Sequence, residues 1–200
     1  MTDLHTRSPI VLAAGGTGGH VFPAQALAQE LATRGFRLAL VTDRRGETYG
    51  PTPIGSSADE ATADSPLADL DTYFIKAAGV SGRGPVAKLV AVSKLIVGYF
   101  QARRLLRDLS PAVVVGFGGY PTVPTLLAAS HLGIKTVIHE QNAVLGRANW
   151  LLAPKATRIA TAFKTTTYLR DSDRARNIWT GNPVRAAIAA LHSLAYPTID

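Results

Sequence analysis

The stretch Ile10-Val11-Leu12-Ala13-Ala14-Gly15-Gly16-Thr17-Gly18-Gly19-His20-Val21-Phe22-Pro23, continuing as Ala24-Gln25-Ala26-Leu27-Ala28-Gln29-Glu30-Leu31, decides the fold. Ile10 to Ala14 is a short apolar run ending in glycines, which suits a strand buried in a parallel sheet. Pro23 sits where a first helical turn tolerates proline, and the apolar residues after it recur at helical spacing. Gly35 reads as a helix stop and Arg37 to Thr42 as a second strand. Strand, glycine turn, helix and strand make one βαβ unit.

Working outward, residues 44–71 read as a mobile loop rich in Pro, Gly, Ser and Asp. Thr72 to Ile75 predicts a third strand. A glycine-rich loop at 79–85 then leads into a long basic helix from Val86 to Leu109. Ala112 to Val115 is a fourth strand, Val123 to Leu132 a helix, and Thr136 to His139 a fifth strand. The run Glu140 to Ala153 supplies another helix, Arg158 to Ala162 a sixth strand, and Ile178 to Thr180 a last short one. Gly181-Asn182-Pro183-Val184-Arg185 then opens a helix, with Asn182 as cap and Pro183 in the first turn. Strands alternating with helices imply an α/β fold, a Rossmann-like doubly wound parallel sheet. Ligands bind such sheets beyond the carboxyl ends of the strands, and 15–20, 116–120 and 139–142 fall at those ends.

Composition narrows the class. With 46% apolar and 18% charged residues among 200, the chain is globular and long enough for a sizeable core. It has no cysteine, which excludes disulfides and thiolate metal sites. The N-terminus carries no signal-peptide pattern and no window holds an uninterrupted membrane-spanning run, so a cytosolic protein is expected. The net charge of +7 points to an anionic partner, and its distribution points to where. Residues 51–71 hold five acids and no base, whereas 76–108 hold Lys76, Arg83, Lys88, Lys94, Arg103, Arg104 and Arg107 against Asp108 alone.

Gly15-Gly16-Thr17-Gly18-Gly19-His20 lies between a strand and a helix, where glycines let backbone amides approach a phosphate and the helix dipole favours it. It is neither common nucleotide fingerprint: the dinucleotide pattern fails at Val21, and the P-loop fails at His20 and Val21. Gly116-Phe117-Gly118-Gly119-Tyr120-Pro121 repeats the arrangement after another strand. Two such loops at neighbouring strand ends suit a diphosphate.

These loops, together with "FPAQALAQEL", "HEQN" at 139–142 and "GNPVR" at 181–185, stand in the order and spacing of the MurG family, which the chain resembles from about Ile10 to Arg185. The resemblance implies the N-terminal domain of a two-domain GT-B glycosyltransferase. Such an enzyme moves N-acetylglucosamine from UDP-N-acetylglucosamine to lipid I, undecaprenyl-diphosphate-linked muramyl pentapeptide, giving lipid II with inversion. It further implies that residues 1–185 form the acceptor-side domain and 186–200 the start of a linker. Because the chain stops at Asp200, the expectation is an isolated half, inactive alone. The acidic stretch at 51–71 looks longer than is usual in the family.

Displacement at an anomeric carbon needs a base near the acceptor hydroxyl and donors near the diphosphates. His20 is the foremost base candidate, since its ordinary pKa near 6.5 suits that work; a phosphate hydrogen bond is its alternative role. Glu140 is the second candidate, as base or as an orienting group. His139 reads instead as a hydrogen-bonded packing residue. By resemblance Thr17, Gly18, Gly19, Asn142 and Arg185 approach the nucleotide sugar. Gly15, Gly16, Gly118, Gly119 and Tyr120 are assigned to substrate from their place in the loops. The basic helix, with Lys88, Leu89 and Lys94 foremost, suits docking on an anionic bilayer, chiefly through Val80 to Leu95. That places the protein peripherally on the inner face of the cell membrane, with other cell-wall synthesis proteins as candidate partners. No nucleic-acid motif is present, and neither a cofactor nor a metal is indicated. The competing readings are an NADP-binding domain using Asp43, Arg44 and Arg45, and a nonenzymatic anionic-lipid-binding module.

Overall fold

The computed structural model describes residues 8–15, 18–43, 70–78 and 84–191. Seven parallel strands form one sheet: β1 (Ile10–Ala13), β2 (Leu38–Thr42), β3 (Asp71–Phe74), β4 (Val113–Gly116), β5 (Lys135–Glu140), β6 (Arg158–Thr161) and β7 (Asn177–Trp179). Their order is β3-β2-β1-β4-β5-β6-β7. Val11 pairs with Ala39 on one side and Val114 on the other, so the chain reverses its direction of growth at β1 and β4. A doubly wound sheet opens its ligand crevice at that switch point. Both glycine loops leave from it.

Among the described residues five α-helices lie between strands, α1 (Gly18–Thr33), α2 (Pro85–Leu109), α3 (Thr122–His131), α4 (Arg147–Leu152) and α5 (Asp171–Arg174), and α6 (Ala186–Ala190) follows β7. Successive strand residues face opposite ways, which divides the core in two. Val11, Ala13, Val41, Val114, Ile138 and Ile159 pack toward Ala102 and Leu106 of α2, Leu126 of α3 and Leu152 of α4. Leu12, Ala14, Leu40, Val115 and Phe117 pack toward Ala24 and Ala28 of α1. Among the described residues no helix is long and apolar enough to cross a membrane.

The structure corrects several boundaries. Helix α1 begins at Gly18, so His20 lies in its first turn and not at the end of a loop, while Pro23 falls inside the helix. Pro23 has no N–H to give Gly19 O, a loss a helix tolerates only near its start. Residues 141–146 are not helical; α4 starts at Arg147 because the preceding backbone curls around the Glu140 side chain. Strand β5 is one residue longer at each end than expected, starting at Lys135 and running on to include Glu140. Asn182 is not a helix cap: α6 begins at Ala186, with Arg185 at the capping position. The loop at 44–69, and Val80 and Arg83 of the 79–85 loop, lie outside the described residues.

Helix α2 also presents its apolar residues differently from the simplest expectation. Its inward face is built of Ala91, Gly98 and Ala102, small residues that let it lie close to the domain, followed by the buried Leu106. The Gln101 side chain accepts the Lys76 N–H at 2.8 Å, fixing the helix to the chain that follows β3. Leu89, Ile96 and Phe100, which helical spacing alone would place against the sheet, are 71%, 53% and 63% exposed.

Candidate active site

The two glycine loops meet in backbone contact. Gly119 has φ +81°, which favours glycine, and a Cβ there would collide with Gly15 O. Gly118 has φ +97°, and its Cβ would lie 2.9 Å from His20 Cε1. The second loop therefore lacks side chains where the His20 ring leans against it. Phe117 N–H donates to Ala13 O at 2.9 Å, and the buried Thr122 hydroxyl lies 2.6 Å from Gly118 O and 3.1 Å from Ala13 O. Both loops are tied to the end of β1. Gly16 and Thr17 lie outside the described residues.

From His20 a chain of polar contacts runs along the strand ends. His20 Nδ1 is 3.3 Å from Gln141 Oε1, Gln141 Nε2 is 3.1 Å from His139 Nδ1, and His139 Nε2 is 3.0 Å from Gly181 O. His139 is 4% exposed and stacks obliquely near Phe117, with centroids 5.5 Å apart. Burial pushes its pKa below the ordinary histidine value, more than the Gly181 carbonyl and the Glu140 charge raise it. It is a hydrogen-bonded packing residue, as its apolar neighbours suggest.

Glu140 is 1% exposed, and four donors converge on its carboxylate. Oε1 accepts from Asn142 N at 3.0 Å and Asn142 Nδ2 at 2.9 Å; Oε2 accepts from Gly146 N at 2.8 Å and Asn149 Nδ2 at 2.9 Å. Asn149 Nδ2 also donates to His139 O at 3.1 Å. The arrangement holds the exposed Asn142 side chain at the rim and gives the 141–146 turn its shape.

A cleft of about 220 Å³ is lined by Gly18, Gly19, Phe22, Asn182 and Arg185. The Arg185 guanidinium lies 4.4 Å from the Phe22 ring centroid. Tyr120 is half-buried at the second loop, while Lys88, Leu89 and Lys94 are all exposed on α2, away from the loops in sequence. Among the described residues no group of three or more His, Cys, Asp or Glu is arranged to hold a metal ion. Sequence reasoning did not single out Gln141, Phe22 or Asn149. The signal for Phe22 was an aromatic residue one helical turn after Gly18; that for Asn149 was an amide inside the apolar run of α4.

Residues 10–161, which carry both glycine loops and the polar strand ends, match the Glycosyltransferase family 28 N-terminal domain. The chain belongs to that family. It is 48% identical over 197 residues to the UDP-N-acetylglucosamine--N-acetylmuramyl-(pentapeptide) pyrophosphoryl-undecaprenol N-acetylglucosamine transferase of Paramagnetospirillum magneticum, covering 98% of this chain and 49% of that protein. The transferase of the same name from Rhodospirillum rubrum is 50% identical over 187 residues, covering 94% and 44%. The crystal structure of Acinetobacter baumannii MurG aligns with TM-score 0.67 at 30% identity, over 95% of this chain and 50% of that one. The UDP-N-acetylglucosamine 2-epimerase of Rickettsia bellii shares the fold alone, with TM-score 0.63 at 11% identity over 93% of this chain and 47% of that one. The chain spans about half the length of the curated relatives it matches.

Proposed function

We propose that this chain is the acceptor-side half of an inverting N-acetylglucosaminyltransferase that moves N-acetylglucosamine from UDP-N-acetylglucosamine to lipid I, giving lipid II. The observation that carries the reading is the seat of His20. It stands in the first turn of α1, between two touching glycine loops, with Arg185 across the same helix end. Similarity to transferases whose names carry this reaction supports it, and favours it over NADP binding or a nonenzymatic lipid module.

In this mechanism the loop amides and the α1 dipole stabilise diphosphate charge. His20 takes the proton of the acceptor's 4-hydroxyl as that oxygen attacks the anomeric carbon and UDP departs from the opposite face. Asn142 and Arg185, with Thr17 to Gly19, bind the donor sugar and its phosphates. Gly15, Gly16, Gly118, Gly119 and Tyr120 border the acceptor. Glu140, its oxygens already occupied by four donors, acts as a positioning residue for Asn142 and not as the base.

Helix α2 would hold the domain at the bilayer in which the acceptor is anchored. Leu89, Ile96 and Phe100 fall within about 40° of one another around the helix, and Lys88 and Lys94 flank them about 100–140° away on opposite sides. An exposed apolar stripe with lysines at its margins suits the interface of an anionic membrane, on the cytoplasmic face. Donor, acceptor and membrane are then its partners, with other cell-wall synthesis proteins as candidates.

The deciding experiment is transfer of labelled N-acetylglucosamine to a lipid I analogue by the full-length protein. Unmutated protein makes product, and His20→Ala lowers kcat about 100-fold or more with little change in donor KM. Full turnover in His20→Ala would remove the base role, and no product from the unmutated protein would remove the reaction.

A further inference from the structure

The contacts leading away from His20 do more than pack it: they determine which of its two ring nitrogens carries the proton. The assignment starts at Gly181 O, which can only accept. His139 Nε2, 3.0 Å away, must therefore be its protonated nitrogen. Buried as it is, His139 is held neutral, so its Nδ1 has a lone pair and accepts. Gln141 must then turn its NH2 toward His139, where it lies 3.1 Å from Nδ1 and 3.2 Å from the His139 carbonyl oxygen. The reverse amide orientation would set the glutamine oxygen against that carbonyl and against the Nδ1 lone pair. With the NH2 so placed, Gln141 Oε1 faces His20 Nδ1 at 3.3 Å and can only accept. His20 is consequently protonated at Nδ1.

We infer that Gln141 and His139 are positioning residues that relay the polarity of the Gly181 carbonyl to His20, fixing its Nδ1–H tautomer and leaving the Nε2 lone pair as the basic atom. Among the described residues Nε2 of His20 has no hydrogen-bond partner. A histidine free in water prefers the opposite tautomer, with the proton on Nε2. The relay therefore selects the form in which the unshared pair lies on the nitrogen not tied to Gln141. It also connects the base to Gly181, the first residue of the segment that carries Arg185, so the two sides of the site share one hydrogen-bonded line. Gly118 contributes by absence, since a side chain there would push the ring from its partner.

This inference rests on the proposed base role of His20 for its catalytic meaning, but not for its test. Nitrogen-15 NMR of histidine-labelled protein above pH 8 separates the two tautomers by the shifts of the ring nitrogens, with His20→Gln and His139→Gln variants providing assignments. We expect an Nδ1–H tautomer at His20 and an Nε2–H tautomer at His139. In Gln141→Leu, His20 should shift toward the Nε2–H form. Gln141→Met, which keeps the side-chain length but supplies neither the oxygen acceptor nor the NH2 donor, should shift His20 the same way and stands in should the leucine variant not fold. In the full-length protein, Gln141→Leu should lower kcat about 10- to 100-fold with donor KM within about two-fold, since a misplaced histidine tautomer is costly in acid–base catalysis. An Nε2–H tautomer at His20 in the unmutated protein would overturn the inference. So would a His20 spectrum that Gln141→Leu leaves unchanged. Turnover surviving in His20→Ala would instead overturn the base role while leaving the tautomer relay standing.

Discussion

The Arg185 guanidinium rests over the face of the Phe22 ring, 4.4 Å from its centroid, joining the segment before α6 to the first turns of α1. Phe22 is 38% exposed, so this contact is of the solvent-accessible kind, worth about 0.5–1 kcal/mol. Phe22→Leu should therefore weaken UDP-N-acetylglucosamine binding by the full-length protein about two- to five-fold. Calorimetric titration checks this. In an Arg185→Ala background the same change should have almost no further effect, and additive losses would mean that the ring does not act through the arginine.

Glu140 should matter to stability before it matters to chemistry. Glu140→Gln turns an NH2 group toward N–H donors and leaves at least one of them buried without an acceptor, a loss of about 2–3 kcal/mol. Thermal unfolding should fall by about 4–12 °C. An unchanged Tm with abolished turnover would favour Glu140 as the base.

His139 predicts a pH dependence of folding. Its folded pKa is depressed by burial, so the unfolded chain binds the proton more readily. The stability it contributes is complete above about pH 6.5, its unfolded value, and is lost as pH falls toward the depressed folded value. Urea denaturation at pH 7.5, 6.5 and 5.5 should show stability declining on the acid side. His139→Gln should flatten that decline, and an equal slope in both proteins would contradict the assignment.

A second buried acid lies at the far edge of the sheet. The Asp173 side chain is 2% exposed and is met by Arg176, which also donates to the carbonyls of Ala153 and Ala156 at the end of α4 and the turn after it. Arg176→Ala leaves the carboxylate with only the longer Arg170 contact, 3.8 Å from Asp173 Oδ2, and strips the Ala153 and Ala156 carbonyls of their donor. Breaking such a pair costs about 3–5 kcal/mol, and the partial exposure of Arg176 puts this one near 3. Denaturant midpoints measure it. Arg176→Lys should recover less than half, because an ammonium cannot reach carboxylate and carbonyls in one plane.

For α2, Lys88→Glu combined with Lys94→Glu should reduce binding to vesicles containing anionic lipid by about 30-fold or more, taking roughly 1 kcal/mol per base. Neutral vesicles should show little difference. Leu89→Ser with Ile96→Ser should weaken binding to both. Equal sedimentation of every variant would leave α2 as ordinary surface.

Much of this fold was readable because a parallel sheet buries its strands on both faces. Ile10 to Ala13 and Val113 to Val115 announce themselves as apolar runs leading into glycines, while their adjacency at the switch point is seen only in the pairing of Val11 with Val114. What stayed hidden depends on contacts between distant residues. The run after Glu140 has helical composition, yet Asn142, Gly146 and Asn149 converge on one carboxylate, and those bonds outweigh local propensity until Arg147. On α2 the period of the apolar residues was legible but not its direction. Larger residues point outward because Ala91, Gly98 and Ala102 are what close packing accepts. Gln141 was visible only as one letter in a polar run. Its role depends on Gly181, forty residues further on.

The backbone contact between Gly119 and Gly15 has a mechanical meaning. With no side chain to act as a cushion, Gly119 cannot move toward β1 without displacing Gly15, so these two residues shift together or not at all. A methyl group at either glycine would meet the other strand's end, at Gly15 against Pro121 and at Gly119 against Gly15 O, so the tips of β1 and β4 are spaced for bare backbone alone.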